Sequence, residues 1–209
     1  GRSAKPQPFT ETLAYKLAQL SYKEIIGGTL SYSAELLERE TVTAGQAGAS
    51  YGKFLFRVGV KGLDIALQGT PYSDLPGFTS DALDAKGAYD SYKYVFKQIN
   101  PPLAAARVVA GLNVAVAFIS LPFDGLNAAS QLAQAYDPSL SEEERNEKFV
   151  DGIGNVGSSL MDVGVLLSAI PGGQAVAAAF FVTGAILWAG ARLVKWYNKA
   201  SGGALSKRI

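Results

Sequence analysis

Val163–Ala191, VGVLLSAIPGGQAVAAAFFVTGAILWAGA, decides how the rest of the chain must fold. Asp162 precedes it, Arg192 follows it, and nothing between them carries a formal charge. A membrane-spanning helix needs roughly 20 mainly apolar residues, and the run exceeds that length. Pro171, Gly172 and Gly173 interrupt it near the middle, and such a triplet breaks a helix. The stretch therefore reads as a helical hairpin, with a short arm ending at Ile170 and a longer arm beginning at Gln174. In a water-soluble state Leu166, Ile170, Val176, Phe180, Phe181, Ile186 and Leu187 are expected among the most buried side chains. The other helices must cover this hairpin or release it into a bilayer.

Composition bounds the remaining options. The chain has 209 residues, enough to bury a core, and its 48% hydrophobic and 18% charged content is ordinary for a globular protein. A formal net charge of +1 gives no reason to expect nucleic acid as a partner. The absence of cysteine removes disulfides and thiol chemistry, and the absence of histidine removes the commonest metal ligand and general base. No signal peptide is apparent at Gly1-Arg2-Ser3, and the opening is compatible with a piece of a longer protein.

Upstream, Phe9, Leu13, Leu17 and Leu20 recur at helical spacing, and Gly27-Gly28 is expected to end that amphipathic helix. A second helix is expected over Leu30–Arg39, with Glu35, Glu38 and Glu40 as a solvated side. From Gly45 to Gln68, alternation in Phe54, Phe56, Val58 and Val60 allows a strand. The four-residue spacing of Lys53, Arg57 and Lys61 favours a helix. That cationic stripe either packs within the bundle or meets anionic lipid headgroups. Gly69–Thr79 reads as a loop, and Ser80–Gln98 as a helix with Tyr89, Tyr92, Phe96 and Ile99 along one buried edge. Asn100-Pro101-Pro102 is a firm stop. Val108–Phe123 suits a buried central helix that Pro122 ends or kinks, followed by a polar helix from Asp124 to Tyr136. Asp137-Pro138 is a turn. Ser141 with Glu144 forms a capping box for a helix leading through Gly152, Gly154 and Gly157 into the hairpin.

The segment VVAGLNVAVAFISLPFDGLNAASQLAQAYDPSLSEEERNEKFVDGIGNVGSSL, the Pro-Gly-Gly hairpin and WAGARLVKWYNK together resemble a known layout. It is that of the glycine-rich hydrophobic region of LXG-type polymorphic toxins, effectors of the bacterial type VII secretion system. The resemblance covers roughly Leu103 to Lys199. It implies a secreted protein whose hydrophobic region inserts in and depolarises a target-cell membrane, or precedes an enzymatic tip. In architecture the chain is also similar to the pore-forming domains of colicins, all-helical with a hydrophobic hairpin near the C-terminus wrapped by amphipathic helices.

These readings converge on an all-α, single-domain helical bundle (residues 1–209) of roughly eight to ten helices. Amphipathic helices are expected over 1–100, apolar helices and a buried hydrophobic C-terminal hairpin over 101–200, and a basic tail over 201–209. The expected function is membrane permeabilisation by a toxin domain of a secreted effector. Leu166, Ile170, Pro171, Gly172, Gly173, Val176, Phe180, Phe181, Gly184, Ile186, Leu187 and Trp188 form the inserting hairpin. Arg192, Lys195, Trp196, Tyr197 and Lys199 are expected as headgroup anchors, because cations and amphipathic aromatics favour the interface. The expected partner is a lipid membrane, with an immunity protein or secretion chaperone as the further class. The alternative is a non-catalytic structural or pretoxin module that binds such a protein. No catalytic, cofactor or metal residue is expected. The pairs Glu142 with Glu144 and Asp81 with Asp84 are explained as helix N-terminal charges, and Gly152-Ile153-Gly154-Asn155-Val156-Gly157 follows a helix and not the strand that a dinucleotide loop requires.

Overall fold

A computed structural model of the chain describes residues 8–37, 41–68, 70–97 and 105–202. The fold is all-α, and no strand occurs among the described residues. A 3₁₀ turn (Phe9–Glu11) leads into α1 (Leu13–Gln19), a π-helical stretch (Leu20–Ile26) and α2 (Gly27–Leu37), which form one continuous rod. Then come α3 (Ala44–Leu67), α4 (Asp74–Lys97), α5 (Ala105–Ala135), α6 (Glu142–Ser168) and α7 (Gln174–Ala200). Among the described residues there are seven α-helices against the eight to ten expected, and residues expected to end helices lie inside them.

Gly27 and Gly28 do not stop the first helix. Gly27 is buried, and a Cβ on Gly28 would stand 2.5 Å from the Phe54 ring, so the pair admits α3 and α5 at close range. Pro122 neither ends nor splits α5. It is exposed, as is Phe118 one turn before it, so the carbonyl that loses its donor lies on the solvent side. The expected loop over 69–79 is shorter, since α4 begins at Asp74 and carries Pro76 in its first turn. Backbone N–H groups there have no intrahelical partner to lose.

Sequence signals for helix starts hold well. Thr43 and Gln46 cap α3 reciprocally. Ser141 accepts from the Glu144 N–H at 3.2 Å, while the Glu144 carboxylate meets the Ser141 hydroxyl instead of the cap's backbone. Asp137 holds its turn by accepting from the Ser139 N–H at 2.9 Å. The segment Gly45–Gln68 is helical, and the hairpin turn falls at Ala169–Gly173, where Gly172 takes φ +81°.

In space α6 lies between α5 and α7. The rod formed by α1, the π-helical stretch and α2 packs on α5, α3 packs on the rod, and α4 bridges α3 back to α7. The core sits among the last four helices: Val95 from α4, Ala117 from α5, Met161 and Val165 from α6, Phe181 and Trp188 from α7. Tyr89 lies outside it, and Tyr92 meets it only at the rim, its ring 6.3 Å from that of Phe181. Both tyrosines are exposed, and the buried edge of α4 runs through Pro76, Ser80 and Val95 instead. Ile99 lies outside the described residues, and the side chain of Phe96 is not described. The expected central burial of Val108–Phe123 is one-sided: Ala117 is buried and Phe118 exposed.

The seam between α6 and α7 is built from small residues. Ala177, Phe181, Gly184, Trp188 and Ala191 alternate steps of four and three on α7, and Gly154, Gly157, Met161, Gly164 and Ser168 do so on α6; all are buried. That spacing keeps one stripe of each helix against the other, as in left-handed helix pairs. A Cβ on Gly184 would lie 2.4 Å from the Gly157 carbonyl oxygen, and one on Gly157 would lie 2.5 Å from the Gly184 oxygen. The two backbones touch at that level.

The expected burial of the hairpin fails on its outer side. Phe181 is 1% exposed, but Ile170 is 53%, Val176 51%, Phe180 36% and Ile186 67% exposed. Leu166 and Leu187 are half-buried. The physical reason is that α7 has neighbours on one side only. Of the amphipathic N-terminal helices, α4 packs along α7, while the rod and α3 dock on α5, on α4 and on one another and leave the outer side of α7 open. The short arm is also the end of a long helix that carries Asp162 and Asp151 upstream.

The seam predicts a sharp contrast between two glycines of α7. Gly184→Ala overpacks the contact and should cost about 1–3 kcal/mol in a urea titration. A Cβ on Gly190 meets nothing within 4 Å, so Gly190→Ala should leave stability unchanged or raise it by up to about 1 kcal/mol. Equal effects at the two positions would contradict the seam.

Candidate membrane-contact face and its supports

Three faces of α7 have different fates. The inner face is the seam with α6. A second, near the C-terminal end, meets α4: Asp81 accepts from the Trp196 indole N–H at 2.6 Å and stands 3.2 Å from the Arg192 Nε. Lys199 reaches Asp74 at 3.1 Å, and Phe78 meets the Trp196 ring edge-on at 5.3 Å between centroids. The third face is open. Val176, Ala179, Phe180, Val182, Thr183, Ile186, Ala189, Gly190, Leu193 and Tyr197 are exposed, and none is charged.

The residues expected to form the membrane hairpin thus divide. Phe181, Gly184 and Trp188 belong to the seam; Val176, Phe180 and Ile186 to the open face; Ile170, Pro171 and Gly172 to the exposed turn. Gly173 is confined, since a Cβ there would lie 2.5 Å from the Leu167 carbonyl oxygen. Among the expected anchors, Arg192, Trp196 and Lys199 are held by carboxylates of α4. Lys195 lies over the Trp196 ring at 6.0 Å, and Tyr197 is open to solvent.

A part-buried polar network lies one turn further along α4, and sequence reading did not find it. Arg57 bridges Glu24 at 2.7 Å and Asp84 at 2.9 Å, while Lys61 reaches Asp84 at 2.8 Å and Ser80 at 2.5 Å. Two cations of the α3 stripe are therefore committed inward and do not face a membrane surface; only Lys53 is exposed. The stripe was visible, but its partners come from the π-helical stretch and α4, and no local pattern pairs them. Asp81 and Asp84 are not the helix N-terminal charges expected, since both lie inside α4, where Asp81 pairs with α7 and Asp84 with α3.

Next to this network Lys23 meets Asp124 at 2.7 Å, and Asp162 lies against Asp124. The buried Oδ2 of Asp162 has no donor facing it, so it gains a partner by carrying a proton itself. Burial, the hydrogen bond to Asp124 and the Asp124 charge raise Asp162 well above the usual carboxylate range, more than Lys23 offsets. Asp84 goes the other way. Burial alone would raise it, but Lys61 and Arg57 hold it well below the usual range. Burial similarly pushes the Tyr15 hydroxyl up to about 12, where it donates to the Phe123 carbonyl at 3.1 Å.

The two carboxyls give opposite pH dependence. The Asp84 contribution is present above its unfolded value and is lost as pH falls. The Asp162 contribution is full in acid and is lost as pH rises from about 4, by up to about 1.4 kcal/mol per pH unit until its raised pKa is passed. Asp162→Asn removes this slope. Its stability relative to the wild type should therefore climb as pH rises above about 4 in chemical denaturation. A difference that stays flat over that range would contradict a protonated Asp162.

Among the described residues no group of three or more acidic side chains is placed to hold a metal ion. Two segments, Leu112–Ala135 of α5 and Gln174–Ala200 of α7, are long and apolar enough to cross a membrane. Comparison with protein-family models, with curated proteins and with solved structures found no match.

Proposed function

We propose that the chain is a membrane-permeabilising module of a secreted bacterial toxin, and that α7 is the element that enters the target membrane. One observation carries this reading: the open face of α7 is uncharged along its whole length from Val176 to Tyr197. At about 1.5 Å per residue that face is about 32 Å long, close to the hydrocarbon thickness of a bilayer at about 30 Å. A row containing Val176, Phe180, Ile186 and Leu193 in water costs about 25 cal/mol for each Å² of apolar surface, and contiguous exposed patches of this kind mark interaction sites. Because the face is already open, first contact with lipid requires no rearrangement of the core. Full insertion then separates α7 from α6 along their seam and moves Phe181 and Trp188 from the core into hydrocarbon.

The same face also fits a protein partner, an immunity protein or chaperone, and a single charge separates the two readings. Ile186→Lys places an ammonium in the middle of the open face. An exposed substitution of this kind changes stability by about 0.5 kcal/mol at most, whereas a lysine at the centre of a membrane helix costs about 2.5–3.5 kcal/mol. The wild type is expected to release dye from protein-free liposomes and Ile186→Lys to release little, with melting temperatures nearly equal. Undiminished release by the variant would remove α7 from the bilayer and leave the protein-binding module as the reading.

A further inference from the structure

Beyond the open face, the basic and aromatic end of α7 is already occupied by groups that imitate a headgroup. Arg192, Lys195 and Lys199 stand on successive turns around Trp196. Opposite them, α4 presents Asp81, which takes both the Arg192 ion pair and the Trp196 indole proton, and Asp74, which takes Lys199. Asp64 at the end of α3 faces the same cations, and Lys195 and Lys199 both act on its charge. Gly77 of α4 lies between them: a Cβ there would sit 3.6 Å from Asp64 and 3.9 Å from the Trp196 ring, at ordinary contact distance. Three carboxylates thus face three cations and an indole N–H. The Arg192–Asp81 contact is imperfect, since the buried Arg192 Nε lies at ion-pair distance without an aligned hydrogen bond.

We infer that the C-terminal end of α7 is a binding site for anionic phospholipid headgroups, and that the first turns of α4 are an acidic cover occupying that site in the soluble protein. The inference rests on the membrane reading of α7 and adds what restrains it. A phosphate oxygen accepts from guanidinium, ammonium and indole N–H as the Asp81 carboxylate does. Lipid and α4 therefore compete for the same donors. Replacing the covering acids by amides lowers the competition while leaving the lipid-facing cations in place, which turns the usual loss-of-function test into a gain.

The test compares the full-length wild type with Asp74→Asn/Asp81→Asn on phosphatidylcholine vesicles with and without phosphatidylglycerol. Juxtamembrane cations contribute about 1 kcal/mol each at an anionic surface, so freeing two of them should tighten binding to the anionic vesicles at least roughly tenfold. Binding to neutral vesicles should not change. Leu132→Ala loosens the α5–α6 packing over Gly152 without touching the cover, and it controls for general destabilisation. It should bind anionic vesicles as the wild type does; a comparable gain there would assign the effect to loosening and overturn the cover. A wild type that permeabilises vesicles, beside a double variant with no anionic preference, would overturn the cover and spare the membrane reading. If neither protein binds or permeabilises any vesicle, both fall. A tenfold gain for inorganic phosphate alone, with none for vesicles, would make the site a soluble-anion site and contradict a lipid one.

Discussion

The contact of the α6 and α7 backbones at Gly157 and Gly184 is the constraint on which the rest depends. Neither position has room for a Cβ. With the backbones touching, the side chains on either side of the contact interlock: Phe181 and Trp188 against Met161 and Val165, with Val95 of α4 closing over them. A seam this close is narrow. It uses one stripe of α7 and leaves the opposite stripe without a neighbour, so the exposed row from Val176 to Tyr197 is the geometric complement of the glycine contact. Parting the two helices would uncover Phe181 and Trp188 as well as the glycines, so a helix that leaves this seam must bury them again in hydrocarbon.

The N-terminal helices contribute in a different currency. Glu24 joins the rod to Arg57 of α3, and Arg57 and Lys61 join α3 to Asp84 of α4, while many hydrophobic side chains of the rod and α3, Leu13, Leu17, Ile25 and Phe56 among them, remain exposed. Paired charges that are partly buried are costly to separate, because each leaves a desolvated partner behind. The network therefore fixes α4 relative to α3, and α4 in turn carries Asp74, Phe78 and Asp81 to the end of α7. Charge pairing through Asp84 thereby helps hold Asp81, one turn earlier on α4, against the end of α7.

Much of this was legible in the chain. The helical class, the capping residues Thr43 and Ser141, the Asp137 turn and the hairpin about Gly172 follow from local chemistry, and each is present. The positions that misled share a cause. Gly27, Gly28 and Pro122 look like helix stops when only the local backbone is weighed, but a glycine also permits close approach and an exposed proline leaves little unsatisfied. Tyr89 and Tyr92 are spaced like a core edge, yet spacing only says that residues share a face, not that the face is covered. The same limit applies to Ile170, Val176 and Ile186. Hydrophobicity told which residues needed cover; whether amphipathic helices supplied it depended on long-range partners such as Arg57 with Asp84. The anchors Arg192, Trp196 and Lys199 were visible as a basic-aromatic cluster, but their acids lie more than a hundred residues earlier in the chain.

The central claim is that the open face of α7 meets hydrocarbon, and the depth of a probe on that face tests it most directly. The chain has no cysteine, so Ile186→Cys accepts a single environment-sensitive fluorophore, and Ser139→Cys in the exposed Asp137 turn gives the reference. With vesicles added, the account predicts that the label at 186 shifts to the blue, is quenched by nitroxides on the acyl chains and escapes aqueous iodide, while the label at 139 stays in water. A label at 186 that remains open to iodide on vesicles the protein demonstrably binds would contradict it.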